Sequence, residues 1–195
     1  MKIRVEPTSI QAYGRNASQL FSEMRSELNA LVTETADVHY FGPNAKQFKK
    51  DCAEMSADFA NRLIKDMTAI KEVVRVATSN IAGSLGGKAV HIEFDGKPLT
   101  VPAISTDDSI FDIDFAALTI LAGAAKAHFA AISLRIDSHL ATLKGTDWHG
   151  NAKDGVVEQV ARFTNAGKTA TNEAQKSIGD FIQKQIDATT AADKA

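Results

Sequence analysis

The chain has 195 residues, of which 44% are apolar and 24% are charged, with 22 lysines and arginines against 24 aspartates and glutamates. This length suffices for one sizeable domain or two small ones, and the composition is that of an ordinary globular protein. The near balance of charge gives no basic surface for a nucleic acid. The single cysteine excludes an internal disulfide, and no spacing of cysteine and histidine is typical of a zinc site.

The N-terminal segment, MKIRVEPTSI, lacks the apolar run of an ordinary signal peptide. The most apolar region, from Phe115 to Leu134, is rich in alanine and interrupted by Lys126 and His128, which favours a core helix over a membrane span. We therefore expect no cleaved leader and no membrane span.

In the first half, apolar residues recur every three or four positions from Ile10 to about Val38 and again from Ala45 to about residue 82. This spacing is typical of amphipathic helices. Gly42 and Pro43 interrupt it, since glycine permits a sharp turn and proline suits a helix start. Residues 8–82 are thus predicted to form an antiparallel helical hairpin.

The same spacing returns in the second half, on both sides of Trp148-His149-Gly150. Residues 111–187 are predicted to form a second helical hairpin, and the polar residues 188–195 a flexible tail. Two helices alone leave apolar surface uncovered, so the hairpins are expected to cover each other. The fold class predicted is all-α, one four-helix bundle domain made of two antiparallel hairpins.

Residues 83–110 form the predicted linker. Within VHIEFDGKPLTV, at 90–101, apolar and polar residues alternate on either side of an Asp-Gly pair. That pattern is typical of a short β-hairpin. A loop without regular structure is the alternative.

The two predicted hairpins break in the same way, at YFGPNAKQF (40–48) and at WHGNAKDGV (148–156), 108 residues apart. Each break puts an aromatic residue two positions before a glycine. A helical hairpin with Trp-x-Gly at its turn resembles the WXG family of type VII (ESX-like) secretion substrates. The residues that carry the resemblance, as a turn or recognition motif, are Trp148 and Gly150 in the second half and Tyr40 and Gly42 in the first.

Members of that family are usually separate chains that pair into four-helix bundles. The resemblance therefore implies two such proteins fused in tandem, a monomeric pseudo-dimer whose turns lie at opposite ends. It implies a secreted or surface protein that binds protein partners, namely the secretion machinery or an effector. For Trp148 and Tyr40 a plain alternative stays open, in which each ring only covers the end of the core.

One feature departs from the family. Partners commonly carry a Tyr-x-x-x-Asp/Glu signal after the last helix, which acts with the Trp-x-Gly turn of the other partner. Neither Tyr13 nor Tyr40 is followed by an acidic residue four positions on, and Phe181 is followed by Gln185. The alternative function is therefore a cytoplasmic chaperone, adaptor or antitoxin-like partner of a larger type VII effector.

Enzymatic chemistry, cofactors and metals are not expected. His39 and His149 flank the two turns, which the family arrangement would separate. His128 and His139 are eleven residues apart, ~16 Å along a helix, too far to share a metal. The cluster of Lys46, Lys49 and Lys50 is predicted to be a solvated surface patch.

Overall fold

The computed structural model describes residues 3–194 and contains four long helices with very short strands between them. In chain order the elements are β1 (Arg4–Val5), α1 (Pro7–Asp37), β2 (Tyr40–Phe41), α2 (Ala45–Leu85), β3 (Asp112–Ile113), α3 (Phe115–Lys144), β4 (Trp148–His149) and α4 (Asn151–Asp193). The predicted all-α, four-helix fold class is confirmed. Both hairpins break where the apolar spacing is interrupted.

The two halves repeat in the same element order, and most elements begin 108 residues apart. β1 and β3 begin at residues 4 and 112, α1 and α3 at 7 and 115, and β2 and β4 at 40 and 148. The helix caps repeat as well: Glu6 accepts from the backbone N–H of Ser9 at 2.6 Å, and Asp114 from that of Ala116 at 2.8 Å. An acidic cap satisfies a free N–H and complements the helix dipole.

Two compact units are built from these elements. Unit 1 comprises Met1–Arg25, Arg62–Lys97 and Ser133–Thr169, and unit 2 comprises Ser26–Asn61, Pro98–Ile132 and Ala170–Ala195. Each unit takes a segment from all four helices, so neither unit corresponds to one hairpin. The predicted divisions at 8–82, 83–110 and 111–187 describe the order of the chain and not the compact units, because each hairpin packs against the other.

In unit 1, a buried histidine joins three helices. The Tyr13 hydroxyl of α1 is hydrogen-bonded to Nε2 of His139 on α3 at 2.9 Å. Phe21 of α1 and Phe163 of α4 approach the same imidazole edge-on, with centroids 4.9 and 6.3 Å away. Burial disfavours the imidazolium and lowers the pKa of His139 to about 4.

In unit 2, aromatic pairs join the two hairpins. Phe59 of α2 packs on Phe129 of α3, and Phe48 of α2 stacks on Phe181 of α4, with centroids 5.5 Å apart in both pairs. Cys52 of α2 is fully buried, and its burial raises its pKa to about 12. The thiol is therefore part of the core.

A half-buried ion pair cluster adds a polar contact between α1 and α3 of unit 2. His128 is hydrogen-bonded through Nδ1 to Glu27 at 2.6 Å and through Nε2 to Glu34 at 3.0 Å. Burial disfavours the charged imidazole, but the two carboxylates outweigh burial and raise the pKa of His128.

The linker forms no strand between residues 88 and 111. The short strand pairs of the structure lie elsewhere, between β1 and β4 and between β2 and β3. In unit 1, the backbone N–H of Val90 donates to Oγ1 of Thr78 at 2.9 Å, and that of Glu93 donates to Oγ of Ser18 at 2.8 Å. Helix side chains thus satisfy backbone groups that a second strand would otherwise pair.

The alternating pattern of 90–101 still has a structural meaning. Val90 and Ile92 are buried, whereas His91 and Glu93 are exposed. In unit 2, the Asn61 side chain accepts from the N–H of Leu99 at 2.7 Å and donates to its carbonyl at 3.0 Å. The linker is therefore an extended strap. Side chains of the helices bond to its backbone, which is the role that the predicted second strand would have had.

The segment 188–193, predicted to be a flexible tail, continues α4 to Asp193. Thr189 is buried, and its hydroxyl donates to the carbonyl of Gln185 at 2.9 Å. This contact extends the packed part of the helix beyond the predicted boundary. Residue 195, also assigned to the tail, lies outside the described residues.

Helix α3 is apolar around most of its circumference. Leu118 and Phe129 are buried, whereas Ile120 and Leu134 are exposed. Within residues 3–194, α3 is long and apolar enough to cross a membrane by length and composition, and 28% of its most apolar window is buried. Core helices of globular proteins also meet this criterion, so the absence of a membrane span stays a prediction.

Replacing Asn61 tests the attachment of the strap. Asn61→Ala removes both hydrogen bonds to Leu99 and leaves those backbone groups without a partner, so we expect the free energy of unfolding to fall by about 1–3 kcal/mol. Urea denaturation measures the change. Asn172→Ala, at an exposed position of α4, is the control and should change stability by less than ~0.5 kcal/mol. Equal effects of the two substitutions would contradict this attachment.

Acid should destabilise the protein through His139. The unfolded chain binds a proton near pH 6.5 while the folded imidazole stays neutral to about pH 4. This difference in protonation makes the free energy of unfolding larger above pH 6.5. The contribution is lost as the pH falls towards 4, by ~3 kcal/mol in total at ~1.4 kcal/mol per pKa unit.

The measurement is urea denaturation at pH 7 and pH 4.5 for the wild type and for His139→Leu. The variant leaves the Tyr13 hydroxyl without its partner at both pH values but removes the titration, so its loss of stability on acidification should be smaller. His91→Gln, at an exposed position of the strap, serves as the control. Identical acid sensitivity of the wild type and His139→Leu would refute the assignment.

Candidate functional site

The two predicted turn motifs are each held by a short strand from the other hairpin. In unit 2, β2 pairs antiparallel with β3, with Tyr40 opposite Ile113. In unit 1, β4 pairs antiparallel with β1, with Trp148 opposite Val5. The strand that precedes the first helix of one hairpin therefore pairs with the turn of the other hairpin, once in each unit.

The Tyr40 turn of unit 2 is closed by side chains from both hairpins. Tyr40 is only 4% exposed, and its burial raises its pKa. Its ring lies 5.8 Å from that of Phe48, and its hydroxyl accepts a hydrogen bond from Nε2 of Gln185 at 2.8 Å. The phenol of Tyr40 thus covers the core and bonds to α4.

The Trp148 turn of unit 1 is equally closed, since the indole is only 1% exposed. The backbone N–H of Glu6 donates to the carbonyl of Asp147 at 2.9 Å, and the N–H of Asp147 donates to Oγ of Ser9 at 2.9 Å. An ion pair of 2.7 Å joins Arg4 to Asp147. In the free chain the indole is therefore a core side chain, in line with the plain alternative.

The two glycines have the backbone conformation that their motif requires. Gly42 has φ of 131° and Gly150 has φ of 123°, values that side chains disfavour. An exposed apolar side chain also lies over each glycine: a Cβ on Gly42 would be 3.2 Å from Cδ1 of Phe111, and one on Gly150 would be 3.6 Å from Cγ1 of Ile3. The backbone conformation thus favours glycine at both turns, and at Gly42 the ring of Phe111 also leaves little room for a Cβ.

Two buried lysines support the turns, a role that the sequence pattern did not reveal. In unit 1, Lys153 of α4 donates to the carbonyls of Lys144 and Thr146 at 3.0 and 2.8 Å, and so caps the end of α3.

Lys49 supports the other turn and corrects the prediction of a solvated lysine patch. It is 1% exposed, lies 4.7 Å from the centroid of Phe41 and donates to the carbonyl of Ser105 at 3.3 Å. Burial lowers its pKa, while the charge of Asp37 opposes that shift. Lys46 and Lys50 are exposed as predicted. Periodicity alone missed Lys49 because its long chain enters the core while its ammonium finds polar partners.

The histidines beside the turns belong to different units. His39 is 3.0 Å from Asp112 in unit 2, and His149 is 3.1 Å from Asp147 in unit 1. All four side chains are at least one-third exposed. Among residues 3–194, no group of three or more His, Cys, Asp or Glu side chains is arranged to hold a metal ion.

A groove of about 450 Å³ opens beside Trp148 in unit 1, between α2 and the start of α4. It is lined mainly by apolar groups, among them the exposed side chains of Ile3 and Leu85. A second groove, of about 590 Å³, shares four lining residues with the first and includes Val73 and Val156. Together they form an open apolar channel along α2 and α4.

The repeat explains why this channel is open. At an offset of 108, Val73 corresponds to Phe181 and Val156 to Phe48. In unit 2 those two phenylalanines stack face to face with an interplanar angle of 3°. Two valines supply less volume than two aromatic rings, so the corresponding space in unit 1 is left unfilled.

Truncating Trp148 tests whether the indole holds its end of unit 1 together. Because the side chain is buried, we expect Trp148→Ala to keep the helical circular dichroism spectrum but to lower the free energy of unfolding by roughly 3 kcal/mol. Leu134→Ala, which truncates an exposed apolar residue of α3, should cost less than ~0.5 kcal/mol. An unchanged thermal melt for Trp148→Ala would mean that the indole is available to a partner instead.

The chain matches no family model, no curated protein and no solved structure. Its function is therefore argued from the two turns, their strand pairing and the surfaces around them.

Proposed function

We propose that this protein is a non-enzymatic, protein-binding substrate of a type VII secretion system, in which two fused WXG-like hairpins replace the dimer of separate chains. The partner would be a component of the secretion machinery or a secreted effector. The protein would reach the culture medium or the cell surface as a folded helical body.

The reciprocal strand pairing carries this proposal. Tyr40 of the first hairpin pairs with Ile113 before the second, and Trp148 of the second pairs with Val5 before the first. Such an exchange is what a two-fold dimer of identical hairpins would make between its subunits. The 108-residue offset between the strands and first helices of the two halves supports the same interpretation.

The surroundings of the turns favour binding over catalysis. His39 and His149 each have a single carboxylate partner at the surface, and His139 is enclosed by aromatic rings. The open channel beside Trp148 is lined mainly by apolar groups. Apolar grooves of this kind suit a protein partner better than a polar reaction.

The C-terminal helix offers a candidate for a degenerate export signal. Phe181 and Gln185 are four residues apart, as are the tyrosine and acidic residue of the family signal. Phe181 stacks on Phe48, and Gln185 bonds to the Tyr40 hydroxyl, so both contact the turn of the other hairpin's motif. The family signal instead follows the last helix, whereas Phe181 and Gln185 lie within α4, so the candidate departs from the family in position as well as in sequence.

The uncharged Gln185 favours a second candidate function. Without an acidic residue at this position, the same bundle would serve as a cytoplasmic chaperone, adaptor or antitoxin-like partner of a larger effector. Export is the property that separates the two candidates.

The test compares culture supernatant with lysate in strains with and without the secretion ATPase. We expect the protein in the supernatant only when the ATPase is present, while a cytosolic marker stays in the lysate. Gln185→Ala should reduce the exported fraction, and Gln183→Ala, at an exposed position on the same helix, should leave it unchanged. Protein confined to the lysate of both strains would exclude export and favour the chaperone candidate.

A further inference from the structure

Unit 2 exposes a group of large apolar side chains where the linker enters α3. Phe111 is 81% exposed, and Ile110 and Phe115 are 45% and 38% exposed. Large side chains exposed together within six residues are uncommon on a protein that has no partner. Burial of one aromatic side chain removes about 150–250 Å² of surface, so this group can form the centre of a docking contact.

Strand pairing fixes the backbone beside the most exposed of these rings. β3 follows Phe111 directly and pairs with β2, which fixes the backbone beside the ring. The ring lies over Gly42, because a Cβ there would approach Cδ1 of Phe111 to 3.2 Å. A residue whose backbone is already fixed loses less conformational entropy on binding, which makes Phe111 a suitable anchor.

Acidic residues predominate in the sequence around the rings, and one of them, Asp112, is paired with His39 at 3.0 Å. Four aspartates surround the rings in sequence, and no lysine or arginine occurs between Leu99 and Ala125. Hydrogen bonds from Ser109 lower the pKa of Asp107, so this carboxylate is ionised at neutral pH. A surface with a net negative charge repels nucleic acids and anionic lipids and attracts a cationic surface of a partner. The Phe111 patch is defined here as Ile110, Phe111 and Phe115 together with Asp107, Asp108, Asp112 and Asp114.

The repeat gives a counterpart in unit 1 for part of the patch. The residue of unit 1 that corresponds to Phe111 is Ile3, which lies over Gly150 in the same manner. The position of Asp112 is taken by Arg4, which pairs with Asp147 at 2.7 Å. Asp114 corresponds to Glu6 and caps its helix as Glu6 does, so Asp112 is the aspartate that differs from its counterpart. Ile3 provides a matched control for Phe111.

We propose that the Phe111 patch docks an amphipathic helix of a partner protein whose apolar face is bordered by lysine or arginine. The apolar face would cover Phe111, and the cationic border would meet the aspartates. The inference rests on the proposed function only in that the protein acts by binding other proteins.

The probe is an 18-residue amphipathic helical peptide of leucine and lysine, with a leucine–glutamate peptide of the same pattern as its counterpart. Fluorescence anisotropy measures the affinity, and NMR chemical shifts locate the site. We expect the lysine peptide alone to bind, with the largest shifts at residues 107–115. Phe111→Ser should weaken binding at least tenfold, whereas Ile3→Ser should change it less than twofold.

The aspartates are tested in the same assay. The double substitution Asp107→Asn and Asp108→Asn should weaken binding several-fold and reduce its dependence on salt, since these carboxylates supply the charge. Circular dichroism verifies that each variant is folded, which the exposure of the substituted residues favours.

Several outcomes would overturn the docking proposal. The proposal would be wrong if the lysine and glutamate peptides bound with equal affinity, or if Phe111→Ser bound the lysine peptide as tightly as the wild type does. It would also be wrong if the largest NMR shifts lay along the channel of unit 1. A dimer in ultracentrifugation that Phe111→Ser dissolves would show that a second copy occupies the patch. Phe111-dependent binding to phosphatidylglycerol vesicles would show a lipid surface instead. The export assay is independent, so loss of peptide binding with intact export would refute the patch and leave the proposed function standing.

Discussion

The structure depends on the mutual burial of two apolar surfaces that neither hairpin can bury alone. In unit 1, Tyr13 of the first hairpin contacts His139 of the second. In unit 2, the contacts of Phe48 with Phe181 and of Phe59 with Phe129 also join one hairpin to the other. Since burial of each large side chain contributes about 1.5–3 kcal/mol, cross-hairpin contacts of this kind supply much of the driving force for folding.

The turns and the strands follow from this arrangement. Each glycine turn brings an aromatic ring to the end of a core, where a two-residue strand of the other hairpin pairs with it. The positive φ angles of Gly42 and Gly150 make the reversal possible without strain. The same device occurs twice, but its surroundings differ, because two valines in unit 1 replace the stacked phenylalanines of unit 2.

These differences between repeats are where function is best sought. Features shared by both units, such as the acidic helix caps and the residues over the glycines, are explained by the fold that they maintain. The open channel of unit 1, and Asp112 of unit 2 in the position where unit 1 has Arg4, differ between the repeats. A protein that acts by docking needs surfaces of this kind rather than a reactive cluster.

The sequence by itself determined the four helices, the positions of both turns and most of the core. Apolar spacing is a local property of a helix, and the glycine motif requires a particular backbone conformation, so both are readable without coordinates. The alternating linker also correctly indicated which side chains are buried, namely Val90 and Ile92.

Only the tertiary structure decided what those local patterns contact. In the tertiary structure the linker takes its hydrogen-bond partners from side chains of the helices, such as Asn61, in place of a second strand. The tertiary structure also buried Lys49 against Phe41 and the carbonyl of Ser105, and it packed α4 beyond residue 187. The identity of a partner depends on residues distant in the chain, because a hydrogen bond or a buried charge is stabilised by whatever group the fold brings within reach.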